Sequence, residues 1–427
     1  MRERSRQTLC VAIAACLSPL LALNASAQGD LTGGVGQFAI QPKKPKVVMT
    51  ARPKPPTVTK GPRATKSDKL LDAVGRGDAA AVAGSVKAGA DVNTKSKEGC
   101  AALVYAASAQ TAAGAQELLS KGADANARCA DGVTALMVAA EAGNAEIVQA
   151  LLGRGANANA QTDDGRTALM FAASSGQLPV VSALLAAGAG PNARHKDGRT
   201  ALTFAAANGH AAVAEELIAK GAEVDARAED GWTPLLWASW FGQADVVNLL
   251  LSRGADLRVR DNDKDTALMK AATQGHLALV KLFLQRGADA DARGNGGGTA
   301  LLFAAPRAGG YEIIEALMAK GADVNAHNDA GITPVISAAA NGRVPTLDLL
   351  LQKRADANAR TPKGWTALIA AAQKGLKESV KLLIAAGADV NARYEDGRTA
   401  LDFAQQNGQT AVVEILKAAG AKSGANP

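Results

Sequence analysis

Along most of this chain, apolar residues come in short bursts spaced i, i+3, i+4, and each burst is closed by glycine. Residues 164–197 show the pattern. Leu169, Ala172 and Ala173 fall on one face of a helix. Gly176 breaks that helix, and Pro179 suits the first turn of a second. Val181, Leu184 and Leu185 repeat the spacing, and Gly188 can take the left-handed conformation that ends helices. Asp197-Gly198 signals a tight turn. The pattern predicts helix, turn, helix, then a hairpin-like finger.

The same unit recurs. Its marker threonine falls at Thr134, Thr167, Thr200, Thr233, Thr266, Thr299, Thr333, Thr366 and Thr399, with spacings of 33 five times, then 34, then 33 twice. DGRTALMFAA at 164–173 becomes DGRTALTFAA at 197–206 and DGWTPLLWAS at 230–239. About 20 residues after each marker region comes a second phrase, such as GADANA at 122–127 or GADVNA at 321–326. Ala101 and Asp68 take the threonine place in two earlier units, so about eleven are expected. Helices of ten or so residues are marginal alone and must bury their stripes against neighbouring units. The expected result is a one-dimensional stack without a global core. At about 10 Å per packed helix it would form a curved rod on the order of 100 Å long.

The 33-residue period and the T-A-L or T-P-L phrases resemble the ankyrin repeat, over about residues 67–421. The histidine of that family's phrase is missing here, replaced by Met137, Met170, Thr203 or Leu236. The resemblance implies an all-α repeat solenoid of about eleven helix-turn-helix units with β-hairpin fingers. It also implies protein binding as the role, without chemistry. By the same resemblance, the place before the threonine and those seven and eight after it form the ligand-binding surface. In one unit these are Trp232, Trp240 and Phe241.

Aromatic residues sharpen that expectation. The fourth place after the marker holds Tyr105, Phe171, Phe204, Trp237, Phe303 and Phe403, six of the fourteen aromatics. This column lies about 200° around the helix from the buried leucine and is expected on the concave side, either packed internally or lining a groove. Trp232, Trp237, Trp240 and Phe241 fall within ten residues, and such a tryptophan cluster is a hot-spot candidate. The expected partner-binding residues are Trp232, Trp237, Trp240, Phe241, Phe204 and Phe171, with Trp365 as a second candidate.

Composition and charge change the picture at the N-terminus. Residues 1–27 resemble a secretory signal: Arg2, Arg4 and Arg6, an apolar run from Leu9 to Leu23, then Ala25-Ser26-Ala27. The expected mature chain starts at Gln28 in the periplasm or outside the cell. Ile13-Ala14-Ala15-Cys16 leaves a lipid anchor as the alternative. The run is too short for a bilayer span, and no later stretch approaches one. Residues 28–66 hold eight basic residues, one acid and six of the 15 prolines, reading as a disordered basic linker or an electrostatic docking segment. Residues 67–427, the expected solenoid, carry a net charge of only −2, which indicates no nucleic-acid-binding face.

Export would place Cys100 and Cys129, on adjacent fingers, where disulfides persist. The expected bridge encloses 29 residues and contributes about 3 kcal/mol; two free thiols are the alternative. Phosphate-binding loops, nucleophile elbows, C-x-x-C and H-E-x-x-H are all absent from the sequence. His210 and His276 read as structural, and His195 and His327 stand about four units apart. No enzyme, cofactor or metal site is expected. A secreted effector engaging a host protein is the rival within binding functions; a metal or enzyme site between fingers is the rival outside them. Gly294-Asn295-Gly296-Gly297-Gly298, Pro306 and an extra residue before Tyr311 predict a bend over 294–310.

Overall fold

A computed structural model of the chain describes residues 51, 53, 56–58, 64–108 and 112–424, all within the unit Lys43–Pro427. The expected signal segment, 1–27, and most of the linker lie outside them. The described residues hold 22 α-helices, from the longest, Lys66–Arg76, to the shortest, Ala300–Ala304. None is long and apolar enough to cross a membrane.

The marker threonine is an N-cap. Thr134, Thr167, Thr233, Thr266, Thr299, Thr333 and Thr366 each sit in extended backbone and accept from the amide three residues on. The leucine and alanine pair that follow are buried; Leu169, Ala172 and Ala173 are at most 1% exposed. Small alanines let neighbouring first helices pack closely, and the second helices stack behind them. Each first helix that ends at Gly143, Gly209, Gly242 or Gly275 leaves through the left-handed region. The next unit's second-helix N-cap then folds over that exit. His210 Nε2 lies 3.1 Å from Ser174 O, His276 Nε2 3.0 Å from Trp240 O, and Gln243 Nε2 donates to Ala207 O at 3.1 Å. The two histidines thus seal helix ends, in line with their structural reading.

The fingers are thinner than the expected β-hairpins: the described residues contain no strand, only the isolated bridges Lys95–Ala101, Arg128–Thr134 and Arg360–Thr366. Each finger closes on a pair of short-range backbone bonds, as His195 N to Arg199 O (2.9 Å) with Gly198 N to His195 O (2.8 Å). Adjacent fingers are joined by one more, as from Lys196 to Asp164 or Glu229 to Asp197. That is too few bonds to build a strand ladder.

A second ladder joins the units where the second phrase ends. Asn126 Oδ1 accepts from Asn157 N, Asn159 Oδ1 from Gly190 N, and Asn192 Oδ1 from Glu223 N, each at 2.8 Å. Asp225, Asp291, Asn325, Asn358 and Asn391 continue it to Lys422. Arg258 stands in this place in one unit and has no side-chain oxygen to offer.

The irregular stretch contains a 3-10 turn, Asn295–Gly297, ahead of the shortest helix. Gly298 is required there, since a Cβ would stand 2.7 Å from Phe303 Cζ. Arg354 adopts φ +65° where most units have glycine. Polar residues on the first helix of the last unit, Ala400–Gln406, and at its end are divided in exposure. Gln405, Gln406 and Asn407 are exposed, but Asp402 is buried and accepts from Thr399 N and Gly424 N at 2.8 Å. At the other end, Ala51 is buried and its amide donates to Glu141 Oε2 at 2.7 Å.

Candidate functional site

The site expected from the sequence is the concave column four places after each threonine. In the structure this column is covered. Phe171 is 0% exposed, Phe204 1%, Trp237 3% and Trp240 4%; Trp232 and Trp365 are also buried. Of the expected binding residues only Phe241, at 37%, presents a face. Internal packing, one of the two readings the sequence left open for this column, describes these rings.

The cover comes from the finger. In four units the residue just before the threonine leans over the ring four places after it. Arg166 lies 5.4 Å from the Phe171 ring centroid, Arg199 4.9 Å from Phe204 and Arg398 4.1 Å from Phe403. Trp232 packs on Trp237 at 5.0 Å between centroids. The same residue reaches the following unit: Arg199 lies 5.6 Å from the Trp237 ring, and Trp365 5.2 Å from Phe403. Trp365 also meets Tyr394 edge-on, at 5.4 Å.

The arginine covers are held by aspartates two residues earlier. Asp164 Oδ1 lies 2.8 Å from Arg166 Nε, Asp197 Oδ2 2.7 Å from Arg199 Nε and Asp396 Oδ2 2.8 Å from Arg398 Nε. Burial opposes ionisation of Asp164, yet the bonds from Arg166 and Thr162 outweigh it and hold the carboxyl at about 2. Asp197 is likewise lowered: burial works against its charge, and bonds from Arg199 and His195 overcome it. His195 Nδ1 lies 2.6 Å from Asp197 Oδ1, and Nε2 3.6 Å from Asp164 Oδ2. This histidine therefore bridges two fingers. Among the described residues no group of histidine, cysteine and acidic side chains could hold a metal ion.

One unit replaces ring and cover by charges. Lys270 occupies the fourth place and is 1% exposed. Its Nζ lies 2.6 Å from Asp261 Oδ2, 2.8 Å from Asp265 Oδ2 and 4.6 Å from the Trp232 ring centroid. Burial raises the Asp265 carboxyl, against the pull of Lys270. Sequence reasoning placed Lys270 in the column but did not foresee the cluster. The available signal was that DNDKDTALMK sets aspartates nine and five residues before the one lysine of the column.

Phe303 of this column is half-buried, and the four-ring cluster reaches solvent through Phe241. Trp232, Trp237 and Trp240 form its base, with Trp232 and Trp240 5.7 Å apart. Phe241 stacks on Trp237 at 6.1 Å and 13°, eight places after Thr233. The buried Trp237 indole N–H has no acceptor among the described residues. The structure pairs Cys100 and Cys129, on adjacent fingers, as a disulfide.

A family model described as ankyrin repeats (3 copies) matches residues 70–162, 103–195, 169–261, 256–328, 301–394 and 335–426. No curated protein matches the chain.

Proposed function

We propose, from the premise that this chain belongs to the ankyrin-repeat family, that it is a non-enzymatic scaffold exported to the periplasm. It grips a protein partner through its concave side and finger tips. Ankyrin repeats generally mediate protein–protein binding, and proteins built from them are typically non-enzymatic. The 22 helices are read as eleven helix pairs spanning 67–427. Residues 1–27 are read as an export signal cleaved after Ala27, because the basic start, apolar run and Ala-Ser-Ala end suit signal peptidase. The Cys100–Cys129 disulfide fits an oxidising compartment.

The observation that carries the binding site is Phe241. It is a large exposed ring stacked on a rigid tryptophan base, in the eighth-place column, above an indole N–H without an acceptor. A pre-ordered ring on a fixed platform loses little entropy on binding, which is how aromatic anchors work. The buried rings serve as the platform rather than the contact surface. Crosslinking in the expressing cells tests this. Wild-type chain and a Tyr311→Ala control, which removes another exposed ring, should capture the same protein, and Phe241→Ala should lose it. Equal capture by all three would remove Phe241 from the site. Mass spectrometry of the mature N-terminus tests export: any start other than Gln28 contradicts cleavage after Ala27.

A further inference from the structure

A segment of the chain already lies on the surface where a ligand is expected. Gly75 stands seven places after Asp68, and Glu141 seven places after Thr134, the register that Trp240 holds after Thr233. Pro56 packs against Gly75 so closely that a Cβ there would stand 2.9 Å from Pro56 Cδ. Two units further on, Ala51 is 3% exposed and donates its amide to Glu141 Oε2 at 2.7 Å. Between them, Thr57 hydrogen-bonds the Glu98 carboxylate on the intervening finger. Bonds from Thr57 and then Ser96 hold that exposed carboxyl at about 2.

The chemistry of the two sides matches. The surface offers two carboxylates and a helix position without a side chain. The segment carries Ala51-Arg52-Pro53-Lys54-Pro55-Pro56-Thr57, basic and rich in proline. Five residues of such sequence reach about 15–17 Å when extended. Two packed units span roughly 16–20 Å. A proline-rich peptide also starts with less conformational freedom to lose than an ordinary one.

We propose that the seventh-place column of the first three units is a docking groove for an extended, basic, proline-bearing peptide, and that Ala51, Pro56 and Thr57 occupy it in cis until an outside peptide of that chemistry displaces them. The tether is short, so the cis segment competes at an effective concentration on the order of millimolar. An incoming peptide must overcome that local excess, which makes the groove gated rather than open. This surface shares no residue with Phe241, so the two sites can fail independently.

The test uses a labelled peptide with the sequence of residues 48–58, titrated into the full chain and followed by fluorescence anisotropy. Ala51→Asp should release the cis segment, since it puts a carboxylate against Glu141. The peptide should then bind at least about tenfold tighter than to wild type, given millimolar self-competition. Adding Gly75→Leu, on an exposed helical position, should abolish that binding while circular dichroism stays unchanged. Adding Glu141→Gln should weaken it. In wild type, the Ala51 amide should be protected from hydrogen exchange, and Glu141→Gln should remove the protection. Equal affinity for wild type and Ala51→Asp, no binding to Ala51→Asp, or full binding to the Gly75→Leu double variant would overturn the proposal.

Discussion

Lys270 Nζ lies 4.6 Å from the centroid of the Trp232 ring, so the lysine of one unit is roofed by the tryptophan of the unit before it. The same ammonium holds two carboxylates, Asp261 at 2.6 Å and Asp265 at 2.8 Å, in a setting where Lys270 is 1% exposed. Removing the cation strands both anions. Lys270→Met should cost about 3–5 kcal/mol, because an unpaired buried charge is left behind. Adding Asp261→Asn and Asp265→Asn should recover part of that loss. Urea unfolding followed by tryptophan fluorescence, which reports on this region, would show both steps.

Stability in acid depends on two other carboxylates. Asp164 and Asp402 sit at about 2 in the folded chain against an ordinary 3.8. For Asp402, burial opposes the charge while bonds from Ser423, Thr399 and Gly424 secure it. A folded-state value below the unfolded one means the stabilisation is complete above about 3.8 and is lost as pH falls through about 2. Asp164→Asn and Asp402→Asn should each lower stability at neutral pH and flatten the acid limb of the unfolding curve. Circular dichroism from pH 7 to 1.5 reads this directly.

Trp237 and Phe241 are stacked neighbours with different duties. Trp237→Ala empties a buried site and should cost about 3–5 kcal/mol. Phe241→Ala, at a ring 37% exposed, should cost about 1 kcal/mol, the scale of one aromatic stacking pair. A reversed order in thermal unfolding would show that Phe241 is structural and unsuited as an anchor.

Arg258 interrupts the Asn/Asp ladder, where every other member from Asn93 to Asn391 accepts an amide of the next unit. Arg258→Asn should supply the missing acceptor for Asp289 N and raise stability by about 0.5–1.5 kcal/mol. The gain should show in denaturant unfolding as a shifted midpoint with an unchanged slope.

Reduction, or Cys129→Ser, should destabilise the first fingers by about 3 kcal/mol, as expected for a loop closed over 29 residues. Hydrogen exchange should rise in residues 94–134 and stay unchanged beyond Thr266. Mass spectrometry that finds both thiols alkylated in the native, oxidised chain would remove the bridge.

The helical frame was legible because each of its causes is local. A threonine cap, a leucine and alanine stripe and a glycine exit can be read within ten residues, and the 33-residue spacing multiplies that signal. The fate of the fourth-place column was not legible. Helix geometry alone predicts Phe171 and Phe204 on the concave side, but their burial depends on Arg166 and Arg199 bending back from the finger. Nothing in the period reports that bend. The docking of Ala51 was hidden for a related reason. Its partner Glu141 lies 90 residues away, and a proline-rich composition describes the segment's stiffness without naming what it touches.

Since Arg199 shelters Trp237, Trp232 shelters Lys270 and Trp365 shelters Phe403, three modules each complete their successor. Deleting or transplanting one would orphan a side chain in the module that follows. The register of this array is therefore written into its inner lining, and shuffling of single repeats, in evolution or by design, has to move such residues as inherited couples.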